Sequence, residues 1–296
     1  MTPPESSPPE GGPAEIAPGV FVATSPVYLT TTTIIAGRGG GCLLIDPALT
    51  VADLARLGEW LAARDLRAAV GWSTHAHWDH VLWSAALGAD VPRFATARTV
   101  RECDRSRAEM LRELSAAAPG HDLDLVGQLT ALPVMAAPPL AAPPLAALPW
   151  DGPPALVVSH DAHASGHGAI YLPDIGVLVA GDMLSDVEIP LLDLTTAADE
   201  QADPFGDYRA GLGLLAALPG VRHVVPGHGH VGDARELRSR IAADFRYLDH
   251  VEQGADLSDE RLLAPDAGWL RADHARQREL AGIPLRYPAR TCRGLP

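Results

Sequence analysis

Three histidines and one aspartate occupy six consecutive positions of this chain, as His75, His77, Asp79 and His80. The apolar run over residues 68–73 leads directly into them and predicts a strand that ends where the histidines begin. Imidazole and carboxylate groups are the ligands that zinc and similar divalent ions prefer. We therefore expect a fold that presents this loop at a sheet edge, with a helix beginning near Asp79, and one such loop can serve two neighbouring metal ions.

Three further candidate residues lie beside apolar runs in the second half of the chain. His163 precedes one strand-like run, Asp182 follows another and His228 follows a third. Taken singly, they have ordinary structural explanations as a loop histidine, an acidic turn and a glycine-rich turn before a helix. Because all three lie next to predicted strands, they can converge at one end of a sheet, and their joint occurrence favours a shared site.

The rest of the pattern predicts alternating strands and helices in one domain spanning residues 19–296, with helices at its C-terminal end. Residues 1–18 are rich in Pro, Glu, Gly and Ser and are predicted to form a flexible tail, and the Pro-rich stretch 136–148 is predicted to be a loop or spacer. The predicted strands cover residues 20–23, 27–36, 42–45, 68–73, 155–159, 169–172, 177–180 and 222–225. The predicted helices cover about 51–64, 97–117, 211–218 and 233–251, besides the one expected near Asp79.

The charge composition limits which kinds of molecule this protein is expected to bind. The chain has 23 basic residues, none of them Lys, against 37 acidic residues, for a formal net charge of −14. Such a surface repels phosphate backbones and anionic membranes, which predicts a small-molecule substrate and neither nucleic acid nor membrane as partner. Three widely separated cysteines and no apolar run of spanning length indicate a cytoplasmic protein. A homodimer contact through the Pro-rich stretch is left open.

The loop of four ligand-type residues matches in full the H-x-H-x-D-H signature of the metallo-β-lactamase superfamily, which the chain resembles. The later motifs match in order and approximate spacing, from about residue 20 to the helix after His228. The resemblance implies an α/β fold of the αββα type, in which two mixed β-sheets are flanked by helices. It also implies a site at one edge, between the two sheets.

The resemblance further implies a role for each candidate residue. Asp46, at the end of an early strand, would contact the ligands rather than the metal, and His167 would pack against them. His160 and His230 lie next to proposed ligands and are alternatives to them. The implied ligands are His75, His77 and His163 for a first metal ion, Asp79, His80 and His228 for a second, and Asp182 as a bridge between the two.

The chain also departs from the family pattern. Val81, Leu82 and Trp83 stand where many members have two small residues, which predicts a bulkier pocket beside the metals. Ala164 replaces the usual Thr. Asp182 stands where zinc β-lactamases of the commonest kind have Cys, and this disfavours antibiotic hydrolysis.

Two divalent ions that share a bridging water lower its pKa and supply hydroxide without a protein nucleophile. Asp79, a ligand beside that water, is the candidate for a catalytic proton carrier. With no G-x-S-x-G elbow, P-loop or dinucleotide motif in the sequence, we expect a zinc-dependent hydrolase of a small ester, lactone or thioester. Iron and manganese are alternative metals. The alternative functions are an iron-dependent oxidoreductase that oxidises sulfur and a non-catalytic binding protein.

Overall fold

Two β-sheets form the centre of the protein in this computed structural model, which describes residues 12–132, 145–193, 203–255 and 258–282. The first sheet has seven strands in sequential order, with antiparallel pairing from β1 to β4 and parallel pairing from β4 to β7. Its strands are β1 (Ala14–Ala17), β2 (Val20–Thr24), β3 (Thr31–Ala36), β4 (Gly41–Ile45), β5 (Arg67–Trp72), β6 (Arg93–Ala95) and β7 (Thr130–Ala131).

The second sheet has six strands in the order β13-β12-β11-β10-β9-β8. All of its pairs are antiparallel except β11 with β12, which run parallel. Its strands are β8 (Ala146–Ala147), β9 (Leu156–His160), β10 (His167–Leu172), β11 (Val177–Gly181), β12 (His223–Pro226) and β13 (Gly232–Asp233). Because β11 and β12 are parallel neighbours, the residues that follow them emerge side by side at one edge.

Five α-helices lie in the described residues: α1 (Val51–Ala62), α2 (Ala97–Ala117), α3 (Pro204–Ala216), α4 (Ala234–Gln253) and α5 (Gly268–Leu280). Local capping fixes several of their ends. Thr50 and Asp53 form a reciprocal capping box at the start of α1, and Asp233 caps α4 in the same way with Glu236. Gly254 ends α4 with φ 66°, a left-handed conformation that suits glycine.

Three apolar clusters order the sheets and helices into four layers. Alternation along the strands separates them, since Ile35 and Leu43 point between the sheets whereas Ile34 and Leu44 point towards α1 and α2. The second sheet turns its other face to α3, α4 and α5, where the third cluster lies. The arrangement confirms the predicted αββα sandwich.

The two sheets are joined by hydrogen bonds at the edge where the candidate residues lie. The Thr31 amide donates to the Gly227 carbonyl at 2.7 Å, and the Thr31 hydroxyl donates to the Pro226 carbonyl at 2.5 Å. These bonds connect the start of β3 with the end of β12. The loops that follow β5, β11 and β12 therefore open towards one another.

Several predicted elements differ from the structure. Strand β1 lies inside the segment predicted to be a flexible tail, because its alternating residues pair with β2 across the turn at Gly19. The predicted strand over residues 27–36 begins only at Thr31, after a loop in which Tyr28 and Leu29 have positive φ. Helix α3 begins at Pro204, with Asp203 as its cap, seven positions before its expected start at Gly211.

Other predictions fall partly or wholly outside the described residues. The Pro-rich stretch is described only from residue 145, where Ala146–Ala147 form β8. Residues 1–11 of the predicted tail are likewise outside. None of the described helices is both long and apolar enough to cross a membrane.

Candidate metal centre

The loop after β5 is held by Asp46, which follows β4. The Asp46 carboxylate accepts hydrogen bonds from the Thr74 amide at 2.8 Å and from the Thr74 hydroxyl at 2.6 Å. The predicted helix near Asp79 is wrong: the chain makes a single turn there, with the His80 amide bonded to the His77 carbonyl. Val81, Leu82 and Trp83 then enter the core of the first sheet, so continuing the turn as a helix would remove them from that core.

Four of the candidate residues form what we call the first group: His75, His77, His163 and Asp182. His77 Nδ1 lies 3.0 Å from His75 Nε2 and 3.1 Å from His163 Nε2. Asp182 Oδ2 lies 3.4 Å from His75 Nε2 and 3.5 Å from His163 Nε2. One ligand atom from each residue lies within 4.8 Å of the others. His77 is exposed, so this group opens to solvent.

The other three candidates form the second group: Asp79, His80 and His228. His228 Nε2 lies 3.2 Å from both His80 Nε2 and Asp79 Oδ2. All three residues are buried. Asp182 also reaches this group, with Oδ1 3.1 Å from His80 Nε2 and Oδ2 3.4 Å from His228 Nε2. Its carboxylate therefore lies between the two groups.

Outer hydrogen bonds orient four of the five imidazoles. The Thr74 hydroxyl gives its proton to Asp46, so at 2.9 Å it accepts from His75 Nδ1. When the ring is neutral, a proton on Nδ1 leaves the lone pair of Nε2 directed inwards, which is the form that binds a metal ion. The other outer acceptors are Asp46 Oδ2 for His80 at 3.0 Å, the Leu191 carbonyl for His163 at 2.9 Å and the Tyr28 carbonyl for His228 at 3.0 Å.

The electrostatics of the two groups differ. Burial lowers the pKa of His75 well below its usual value and that of His163 to about 4. Burial acts in the same direction on His80 and His228, but neighbouring carboxylates, Asp182 foremost, outweigh it and raise both pKa values well above the usual one. Without a cation, His80 and His228 thus favour the protonated form, whereas His75 and His163 favour the neutral form.

The donor set fits divalent metal ions. The outer acceptors of His75 and His163 leave their Nε2 lone pairs directed inwards when the rings are neutral. Asp182 Oδ1 is buried without a hydrogen bond of acceptable geometry. Gly227 packs so closely that a Cβ there would overlap this oxygen. The inward lone pairs and the unbonded oxygen are both explained by a cation between the donor atoms.

The remaining histidines lie outside the two groups. His167 stacks on His75 with ring centroids 5.1 Å apart and on His160 at 4.6 Å, which agrees with the packing role expected for His167. His230 lies on the surface and pairs with Asp186. Neither His160 nor His230 takes the place of a candidate ligand.

Sequence reasoning missed other contributions to the site. The Tyr28 and Leu191 carbonyls are backbone groups, and no side-chain motif identifies them. Glu188 is buried, and the charges that act on its carboxyl are those of the second group and Asp182. The only indication of this role in the sequence is that Glu188 is the single charged residue in the otherwise apolar run Val187 to Pro190.

The chain belongs to the metallo-beta-lactamase superfamily, whose family model matches residues 26–243. Members of this superfamily are mostly hydrolases, and their fold usually binds metal ions. The match spans β3 to β13 and all seven candidate residues. The side-chain groups described above are thus consistent with a metal-binding protein of a hydrolase family.

Solved structures show the same fold at low sequence identity. A beta-lactamase domain protein from Burkholderia ambifaria is 20% identical, with a TM-score of 0.60 over 84% of this chain and 76% of its own. A metallo-beta-lactamase family protein from Thermus thermophilus is 22% identical, with a TM-score of 0.59 over 90% and 91%. A metallo-beta-lactamase from Pontibacter korlensis is 18% identical, with a TM-score of 0.54 over 79% and 98%. Curated proteins gave no significant match.

Proposed function

We propose that this protein is a dinuclear zinc-dependent hydrolase that cleaves a small ester, lactone or thioester. The observation that carries the proposal is the position of Asp182, whose two oxygens lie 3.1–3.5 Å from histidine nitrogens of both groups. A carboxylate so placed is suited to bridging two ions. The first group would hold one zinc ion and the second group the other.

Two bound divalent ions supply Lewis acidity and lower the pKa of water, so that hydroxide is available at neutral pH. The protein's own residues would position the reactants. Asp79 has Oδ2 3.2 Å from His228 Nε2 and retains slight exposure, which suits it to hold a proton during bond cleavage. His77 marks the open side, from which a substrate would approach.

The ligand atoms support the choice of metal, and the net charge of the chain supports the choice of substrate. Five imidazoles and two carboxylates suit zinc, with iron and manganese as alternatives. The net charge of −14 disfavours polyanionic substrates and is compatible with small esters, lactones and thioesters. Cytoplasmic residence, favoured by the buried free cysteines Cys42 and Cys103, stays a prediction, as does a homodimer.

Elemental mass spectrometry of the purified protein tests the metal assignment, with His75→Ala and His228→Ala as variants. We expect two zinc equivalents in the wild type and a partial loss in each variant, from a different group. His250→Ala, at the end of α4, is the matched control and should retain both equivalents.

Turnover of an ester, lactone and thioester panel tests the reaction. We expect hydrolysis that stops with a chelator and returns with zinc. Predominant iron would instead favour the sulfur-oxidising function, and zinc binding without turnover of any substrate would favour a binding protein. A protein that binds no zinc, manganese or iron would contradict the metal centre itself.

A further inference from the structure

Glu188 lies in the loop that leads from Asp182 to Leu191, whose carbonyl accepts the hydrogen bond from His163. The Ser185 hydroxyl donates to the His228 carbonyl at 2.8 Å and accepts from the Glu188 amide at 3.0 Å. The Glu188 carbonyl in turn accepts from Arg261 at 2.9 Å. The backbone of Glu188 is therefore tied through one hydroxyl to the backbone of a candidate ligand.

The side chain of Glu188 is as enclosed as the second group itself. Its exposed fraction is 8%, compared with 8% for Asp79 and 6% for His228. The ionisable groups that act most strongly on its carboxyl are His228, Asp182, Asp79 and His80. All of these belong to the second group or bridge to it, so the carboxyl shares the electrostatic surroundings of that group.

Glu188 has no direct ion-pair partner in the described part of the chain, where no arginine or histidine nitrogen lies within 4.0 Å of its carboxylate. His228 and His80 act on the carboxyl only from beyond that distance. Arg261 is close, but its guanidinium is bound by the carboxylates of Asp244 and Asp259, and it meets only the backbone of Glu188. A buried carboxylate without a partner is costly, so it is retained where a cation compensates for it.

Divalent ions would provide that cation. Two of them bring more positive charge than Asp79 and Asp182 neutralise, and the imidazoles are neutral ligands. We infer that Glu188 is an eighth residue of the metal centre, whose carboxylate supplies negative charge that strengthens zinc binding by the second group. This inference rests on the metal centre of the proposed function but not on the reaction assigned to it.

The ionisation of Glu188 without a metal is consistent with this role. Burial and the negative charges of Asp182 and Asp79 raise the pKa of Glu188 to about 7, against the opposing effect of His228. The carboxyl is thus poorly accommodated as an anion when no cation is present. A bound divalent ion would reverse that balance.

Zinc affinity tests the inference without reference to turnover. Zn²⁺ is titrated against a chromophoric chelator in the wild type, Glu188→Gln, Glu188→Asp and the control Glu113→Gln, which changes an exposed glutamate of α2. We expect Glu188→Gln to weaken one zinc equivalent by about 10- to 100-fold and leave the other unchanged. Glu188→Asp should retain more affinity than Glu188→Gln, and Glu113→Gln should match the wild type.

Thermal unfolding separates this role from a structural one. Without zinc, Glu188→Gln should unfold at no lower temperature than the wild type, because it removes a poorly accommodated charge, but zinc should raise its Tm less. Unchanged zinc affinity, or a zinc-free Tm lowered as much as the zinc-bound one, would overturn the inference. Normal Glu188-dependent zinc binding without any ester hydrolysis would overturn only the proposed reaction, whereas a wild type that binds no zinc would overturn both.

Discussion

The first and second groups are built from similar residues but differ in access and charge. The first group has three imidazoles around one carboxylate and includes the exposed His77. The second group is entirely buried, contains Asp79 and has Glu188 in its surroundings. The loop after β5 supplies the exposed His77 to the first group and Asp79 to the second, so part of the difference lies within this loop.

This difference suggests that the two groups would hold metal ions for different reasons. Ligands that are exposed can exchange an ion with solvent without local unfolding, whereas buried ligands need an opening motion. The second group has a carboxylate of its own, Asp79, whereas burial lowers the pKa of two imidazoles of the first group, those of His75 and His163. We expect faster metal exchange at the first group and slower exchange at the second.

Replacing Asp182 should have the largest effect, because its carboxylate lies within 3.5 Å of histidine nitrogens in both groups. Asp182→Ala is expected to reduce hydrolysis by at least about 100-fold and to lower the zinc content at both groups. Elemental mass spectrometry and turnover of the responsive substrate measure both effects. If the variant keeps two tightly bound zinc equivalents, Asp182 does not join the groups.

Asp46 tests whether the groups share a common support. Its carboxylate orients His80 directly and His75 through the Thr74 hydroxyl, so Asp46→Asn should weaken zinc binding at both groups by about 10- to 100-fold. Chelator competition measures the affinity of each equivalent. Asp90→Asn, an exposed change of the same kind, is the control. An effect on only one equivalent would show that the groups are supported separately.

His77 tests the difference in access. With excess chelator, zinc should leave the wild type in two phases, and His77→Ala should accelerate the fast phase by about 10-fold while leaving the slow phase unchanged. Stopped-flow absorbance follows the chelator complex. A single phase, or acceleration of the slow phase, would contradict the assignment of the open side to the first group.

The smallest effect is expected at Thr30, whose hydroxyl lies 3.4 Å from His228 Nδ1. The Tyr28 carbonyl, at 3.0 Å, remains as the stronger acceptor, so Thr30→Val should change zinc affinity by only about twofold. Chelator titration measures this change. A loss as large as that of Asp46→Asn would mean that Thr30, rather than Tyr28, orients His228.

The sequence predicted which candidate residues would lie together more fully than it predicted the elements around them. The local motif comprises His75, His77, Asp79 and His80. Its proximity to His228 was predicted because the strands before these residues end at the same sheet edge. The short strands β6, β7 and β8 escaped detection because two or three residues show no periodicity. The expected helix near Asp79 failed because burial of Trp83 outweighs local helical preference.

Contacts that depend on the folded backbone were beyond sequence reasoning. The carbonyls that orient His163 and His228 come from residues 28 positions and 200 positions away in the chain. C-terminal helices were expected, but no range was predicted for α5 because its apolar spacing is weak, although Leu270 and Gln277 are buried. Asp46 was expected to contact the ligands, and the structure gives it that position.

The close packing of Gly227 against Asp182 limits how this site can diversify. Any side chain at position 227 would collide with the carboxylate that lies between the two groups. In a saturation library selected for a new substrate, we expect glycine to persist at position 227. New specificities would then have to arise at other positions, around a glycine that does not change.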